Sequence, residues 1–132
     1  MKNNLKNIIA KEIMTAEILS VEPTIFVQQA VELMHKNNIG AVVVLSPIRD
    51  LLGIFTERDL LKRVVAKKKD PAKTKIQEVM TPNVMVAQAS DSALELLQVM
   101  QREKFRHLPV VDGRKVIGII SLKDFTDCLL QK

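Results

Sequence analysis

Apolar residues in this chain fall into short blocks whose spacing alternates between that of strands and that of helices. Ile18 to Val21 is a brief β-prone stretch, and Phe26, Ala30, Val31, Leu33 and Met34 then recur at helical spacing. Gly40-Ala41-Val42-Val43-Val44-Leu45 is a continuous apolar run, too short for a buried helix and rich in β-branched residues. Ser46 to Asp50 turns the chain and Leu51 to Phe55 returns, which predicts a hairpin with both strands largely buried. Thr56 opens a second helix carrying Leu60, Leu61, Val64 and Val65.

The second half repeats this order: strand Val84 to Ala87, helix Asp91 to Glu103, strand His107 to Val111, turn Asp112-Gly113, strand Lys115 to Ile120 and helix Leu122 to Leu130. Residue identities echo the pattern. Glu12-Ile13-Met14-Thr15 is answered by Glu78-Val79-Met80-Thr81, Met34 by Met100 and Val44 by Val110, all at an offset of 66. Gly53-Ile54-Phe55-Thr56-Glu57-Arg58-Asp59 matches Gly118-Ile119-Ile120-Ser121-Leu122-Lys123-Asp124 at an offset of 65, one residue having been lost in the turn between. The expected fold is mixed α/β (α+β), two β-α-β-β-α repeats. One unit of about 55 residues is marginal alone, so the two sheets are expected to pack together.

The predicted division is an N-terminal helix with the first repeat over 1–66, a basic linker over 67–75 and the second repeat over 76–132. The linker segment KKKDPAKTK is charged, contains Pro71 and lacks apolar periodicity, so it reads as an exposed connector. It also explains the net charge of +5, because Lys67, Lys68, Lys69, Lys73 and Lys75 against Asp70 supply +4 of it. The charge is local, and the remainder of the 132 residues is nearly neutral.

Composition narrows the function classes. Aromatics are 3% and all Phe, so the core is aliphatic. The single cysteine, Cys128, forms no internal disulfide, and His35 and His107 stand apart from any zinc-ligand spacing. A reducing, cytoplasmic setting is expected, since no stretch approaches the roughly 20 apolar residues of a membrane helix and the N-terminus has no sustained apolar core of a signal peptide. There is no Gly-rich phosphate loop and no supported Ser/His/Asp arrangement, so an enzyme is not expected. Cys128 has no apparent base beside it, His35 suits the C-terminal dipole of a helix, and the methionines read as adaptable core filling.

The motif Gly-Ile-x-[Thr/Ser]-x-[Arg/Lys]-Asp, at a strand-to-helix junction, is the most informative element. Thr56 with Asp59, and Ser121 with Asp124, fit a capping box. The same geometry suits a ligand: a helix N-terminus presents unpaired N–H groups to a phosphate, and a carboxylate accepts two hydrogen bonds from a sugar diol. A capping box favours Glu or Gln at that position, and both copies here carry Asp.

On these motifs, with Met14-Thr15, Met80-Thr81, Gly40 to Val44 and His107-Leu108-Pro109-Val110-Val111-Asp112, the chain resembles a tandem pair of CBS (cystathionine beta-synthase) domains of the free-standing prokaryotic kind, over roughly Ile8 to Leu130. The resemblance implies a Bateman module, with repeats packed through their sheets about a pseudo-twofold and two clefts for AMP, ADP or ATP, or for S-adenosylmethionine or NAD. No obligatory cofactor and no catalysis are implied. It gives Asp59 and Asp124 a role on ribose, Thr56 and Ser121 a place near phosphate with Arg58 and Lys123 beside them, and Thr15, Ile18, Thr81 and Val84 a place lining adenine. It further implies a basic phosphate ligand from the other repeat, for which Arg106 and His107 are candidates in one copy against Gly40-Ala41 in the other, and Pro109 is a further nucleotide-binding candidate. The site built on Asp59 is therefore expected to be the better equipped. A flat homodimer and a separate regulated protein are the expected partners. Two alternatives compete: nucleic-acid binding through the lysine-rich linker, against which the lack of aromatic stacking residues counts, and a structural dimerisation module with no ligand.

Overall fold

The computed structural model describes residues 5–130; the few positions of the predicted divisions beyond them lie outside the described residues. The chain forms two compact units, one of residues 19–84 and one joining those up to 18 with those from 85 onward. Each unit is built on its own small sheet.

In the unit of residues 19–84, β1 (Ser20–Val21) runs parallel to β2 (Ala41–Leu45), β2 pairs antiparallel with β3 (Leu51–Thr56), and β3 pairs antiparallel with β4 (Thr81–Pro82). β2 is buried at every position, as its unbroken apolar run requires. α2 (Val27–Asn37) stops at Asn38, which adopts the left-handed conformation that asparagine tolerates. Val21, Val27, Ala30, Met34, Val42, Val44, Phe55 and Val64 fill the core together with Ile76 and Val79 of α4 (Ile76–Val79).

The other unit repeats the plan. β5 (Ala87–Gln88) is parallel to β6 (His107–Asp112), and β6 pairs antiparallel with β7 (Lys115–Ser121). α5 (Ala93–Glu103) ends at a left-handed Lys104, and α6 (Leu122–Leu130) follows β7. Leu96, Met100, Leu108, Val110, Ile120 and Phe125 form the core with Leu5 and Ala10, the latter opening α1 (Ala10–Ile13).

The short helices α1 and α4 precede the two Met-Thr pairs, and each packs on the other copy of the repeat. Lys75, before α4, bridges Phe26 of the first copy; Ile9, the equivalent position before α1, bridges Ser92 of the second. The backbone bonds agree: Ile76 N–H donates to the Ile25 carbonyl at 2.9 Å, and Ala10 N–H to the Asp91 carbonyl at 2.8 Å. The spatial units therefore exchange the leading segments of the sequence repeats.

The structure refines one expectation and corrects two. The connector carries its lysines in the open, but its backbone is fixed: Val27 N–H bonds the Thr74 carbonyl, Gln28 N–H the Pro71 carbonyl, and the buried Thr74 hydroxyl donates to the Asp70 carbonyl at 2.8 Å. The strand expected from Val84 begins only at Ala87, because Thr81–Pro82 is taken up earlier as β4 against β3. The helix opened by Thr56 is not uniform; α3 (Glu57–Asp59) passes into a π-helical stretch over Leu60–Val65, whereas its counterpart α6 is regular throughout.

Candidate functional site

The repeated motif places one carboxylate at the start of each post-sheet helix. In the first copy, Asp59 Oδ2 accepts the Thr56 N–H at 3.0 Å and the Thr56 hydroxyl at 3.3 Å, so the capping box forms with the shorter Asp in place of Glu. Its other oxygen, Oδ1, accepts the Thr81 hydroxyl at 3.1 Å and faces Arg63 Nε at 3.5 Å. Asp59 is 5% exposed. In the second copy, Asp124 Oδ2 accepts the Ser121 N–H at 2.7 Å and the Ser121 hydroxyl at 3.3 Å, and Oδ1 accepts the Thr15 hydroxyl at 3.4 Å. Asp124 is half-buried.

The glycine that opens the motif makes these contacts possible. A Cβ on Gly53 would lie 2.5 Å from the Thr81 carbonyl oxygen, and one on Gly118 would lie 2.5 Å from Met14 Sδ and 2.8 Å from the Thr15 carbonyl oxygen. Only a residue without a side chain lets the Met-Thr segment cross the strand so closely. That crossing delivers the threonine hydroxyl to the carboxylate.

The structure thus brings Thr56, Asp59 and Thr81 together, and Ser121, Asp124 and Thr15 together. Arg58 and Lys123 are exposed near their respective caps, and Lys123 pairs with Asp127 at 3.1 Å. Arg106 and His107 belong to the unit of Asp124: the Arg106 carbonyl accepts the Leu122 N–H at 3.2 Å, and His107 stands opposite Ser121 in the sheet. Gly40 is their counterpart in the other unit, its carbonyl accepting the Glu57 N–H at 3.0 Å. Pro109 is buried opposite Ile119, whose N–H and carbonyl both bond Thr15, so its missing donor leaves no gap in the ladder. Ile18 and Val84 are half-buried and precede β1 and β5 rather than starting them.

Arg63 was not among the residues singled out from sequence. The signal was present as an Asp-to-Arg spacing of four on a helix. A separate cavity of about 260 Å³ is lined by Val31, Met34, His35, Asn38, Ile39, Gly40, Glu57 and Leu60, and does not include the Asp59 group. Among the described residues no cluster of His, Cys, Asp and Glu is arranged to hold a metal ion, and no helix is long and apolar enough to cross a membrane.

The family model for the CBS domain matches residues 10–66 and 76–131. The chain belongs to the CBS domain family. This CBS pair is 32% identical over 114 residues to the CBS domain-containing protein YhcV of Bacillus subtilis, covering 86% of this chain and 80% of that one. It is also similar to longer plant proteins, such as CBSCBSPB1 of Arabidopsis thaliana, of which it spans 21% at 32% identity. Among solved structures, a putative signal-transduction protein with CBS domains from Burkholderia ambifaria superposes with a TM-score of 0.87 at 34% identity, covering 93% of this chain and 94% of that one. An uncharacterized conserved protein from Pyrococcus horikoshii superposes with a TM-score of 0.92 at 26% identity, covering 98% and 97%. Both likenesses agree with a tandem CBS fold of mixed α and β built on two small sheets, a module that is commonly regulatory.

Proposed function

We propose that this CBS pair is a non-catalytic regulatory module that binds an adenine nucleotide of the AMP, ADP or ATP class and reports its occupancy to a separate protein. One observation carries the reading: twice, a carboxylate at a strand-to-helix junction is ringed by hydroxyl donors, Thr56 and Thr81 on Asp59, Ser121 and Thr15 on Asp124. Sugar hydroxyls have the same donor chemistry, so a vicinal diol substitutes for the threonine on Oδ1 without leaving the carboxylate unpaired. Arg58 and Lys123, exposed near the caps, suit the phosphates. Self-association belongs to the same proposal, since Leu61, Val65, Leu129 and Leu130 leave apolar surface exposed on the two post-sheet helices.

A thermal-shift screen against AMP, ADP, ATP, S-adenosylmethionine and NAD tests it. A ligand at about 100 times its Kd contributes about 2.7 kcal/mol to the folded state, a rise of several degrees in Tm. A rise with an adenine nucleotide, lost on double substitution Asp59→Asn and Asp124→Asn, supports the reading; no rise with any of the five rejects it. Salt-sensitive binding of DNA or RNA that AMP does not compete away transfers the function to the lysine connector.

A further inference from the structure

The two carboxylates are not equally open. Asp59 has four partners around its two oxygens: the Thr56 N–H and hydroxyl bonded to Oδ2, and on Oδ1 the Thr81 hydroxyl as a hydrogen bond and the Arg63 guanidinium as an ion pair at 3.5 Å. Among the described residues Asp124 has three, because position 128, four residues on, is a buried cysteine where the first copy has Arg63, and Lys123, the only basic residue of α6, is paired with Asp127. Arg63 is held at its other end as well, Nη1 donating to the Met80 carbonyl at 2.8 Å. Its guanidinium therefore ties the helix carboxylate to the crossing Met80-Thr81 segment. It does so from the π-helical stretch that distinguishes this helix from α6.

We infer that Arg63 is a positioning residue that holds the first motif closed, so that the Asp124 motif takes the sugar diol of a nucleotide first, and the Asp59 motif fills only when Arg63 releases Asp59 and the Met80-Thr81 segment. The inference rests on the nucleotide reading above. It reverses the order of filling expected from sequence, in which the Asp59 site is the better equipped. The physical reason is that a diol arriving at Asp124 finds one open lone pair and displaces only a threonine hydroxyl, whereas one arriving at Asp59 must also displace an ion pair of a nearly buried group.

Calorimetric titration of the full chain with AMP, ADP and ATP tests it, using wild type, Arg63→Met, Arg63→Lys, Asp59→Asn and Asp124→Asn. Arg63 is half-exposed at its side chain, and unchanged circular dichroism verifies folding of each variant. The expected result is a loss of about tenfold or more in affinity in Asp124→Asn, little change in Asp59→Asn, and a second binding event or a gain of about tenfold in Arg63→Met, the size of one charge-assisted contact. Arg63→Lys, which keeps the charge but not the two-ended guanidinium, is expected to fall between wild type and Arg63→Met, separating the charge from the tie to Met80. Loss of binding in Asp59→Asn with Asp124→Asn intact, equal losses in both, or no change in Arg63→Met overturns the inference while leaving nucleotide binding in place. Absence of binding in every chain, wild type included, overturns the nucleotide reading and this inference with it.

Discussion

The hydroxyl of Thr15 donates to the carboxylate of Asp124 at 3.4 Å, although 109 positions separate the two in the chain. Its counterpart, Thr81 on Asp59, spans 22 positions at 3.1 Å. The same local contact is thus made once at short range and once from the far end of the chain. The Met-Thr segment of each repeat completes the motif of the other, and the stability of the fold and the geometry of the site depend on the same few crossings.

Gly53→Ala and Gly118→Ala are each expected to destabilise the protein by about 1–3 kcal/mol, because the new methyl meets backbone that cannot yield. Gly113→Ala meets open space and costs about 1 kcal/mol through its positive φ alone. Urea midpoints at constant m resolve the two classes.

Removing the cap hydroxyl by Thr56→Ala or Ser121→Ala is expected to cost about 1 kcal/mol in either copy. Both hydroxyls bond the motif carboxylate at 3.3 Å, so the two losses should agree within experimental scatter. A loss above about 3 kcal/mol in one copy only, read by denaturation, would contradict the equivalence of the caps.

Lys104→Gly should raise stability by about 0.5–1 kcal/mol, since Lys104 ends α5 at φ 61°, a conformation that glycine adopts without strain. A rise in Tm of roughly 2–4 °C is the expected reading. Asn38→Gly at the equivalent position gains less, because asparagine already tolerates φ 52°.

In the connector, Lys67→Gln, Lys68→Gln and Lys69→Gln together should leave stability within about 0.5 kcal/mol, as exposed side chains do. Thr74→Val should cost about 1 kcal/mol by removing the bond from its buried hydroxyl to the Asp70 carbonyl, which keeps only the Lys73 N–H. Differential scanning calorimetry of the two variants separates the charge of this segment from its fixed backbone.

Much of this was legible from the residues. Strands β2, β3, β6 and β7 and helices α2, α5 and α6 lie where period and β-branching put them, since a long apolar run or a sustained amphipathic repeat is a strong local signal. The motif carboxylates were equally readable, because Gly-Ile-x-[Thr/Ser]-x-x-Asp states both the strand end and the cap. What was not legible is non-local. Thr81–Pro82 became a strand only because Gly53 left room beside it, and the crossing of Met14-Thr15 against Gly118 is invisible to any window of neighbouring residues. Connector order depended on the backbone carbonyls of Pro71 and Thr74 finding donors at the start of α2, which composition does not encode.

The exchange of leading segments bears on what can be cut or transplanted. Cleavage within the exposed lysines 67–69 would yield an N-terminal fragment holding Ala10 but not the Phe125 it packs with, and a C-terminal fragment holding Ile76 and Val79 but not Phe55. Neither piece is a self-sufficient building block, yet each carries what finishes the other, so the two should reassociate on mixing and a graft of one repeat into a foreign protein should fail without the leading segment of the other.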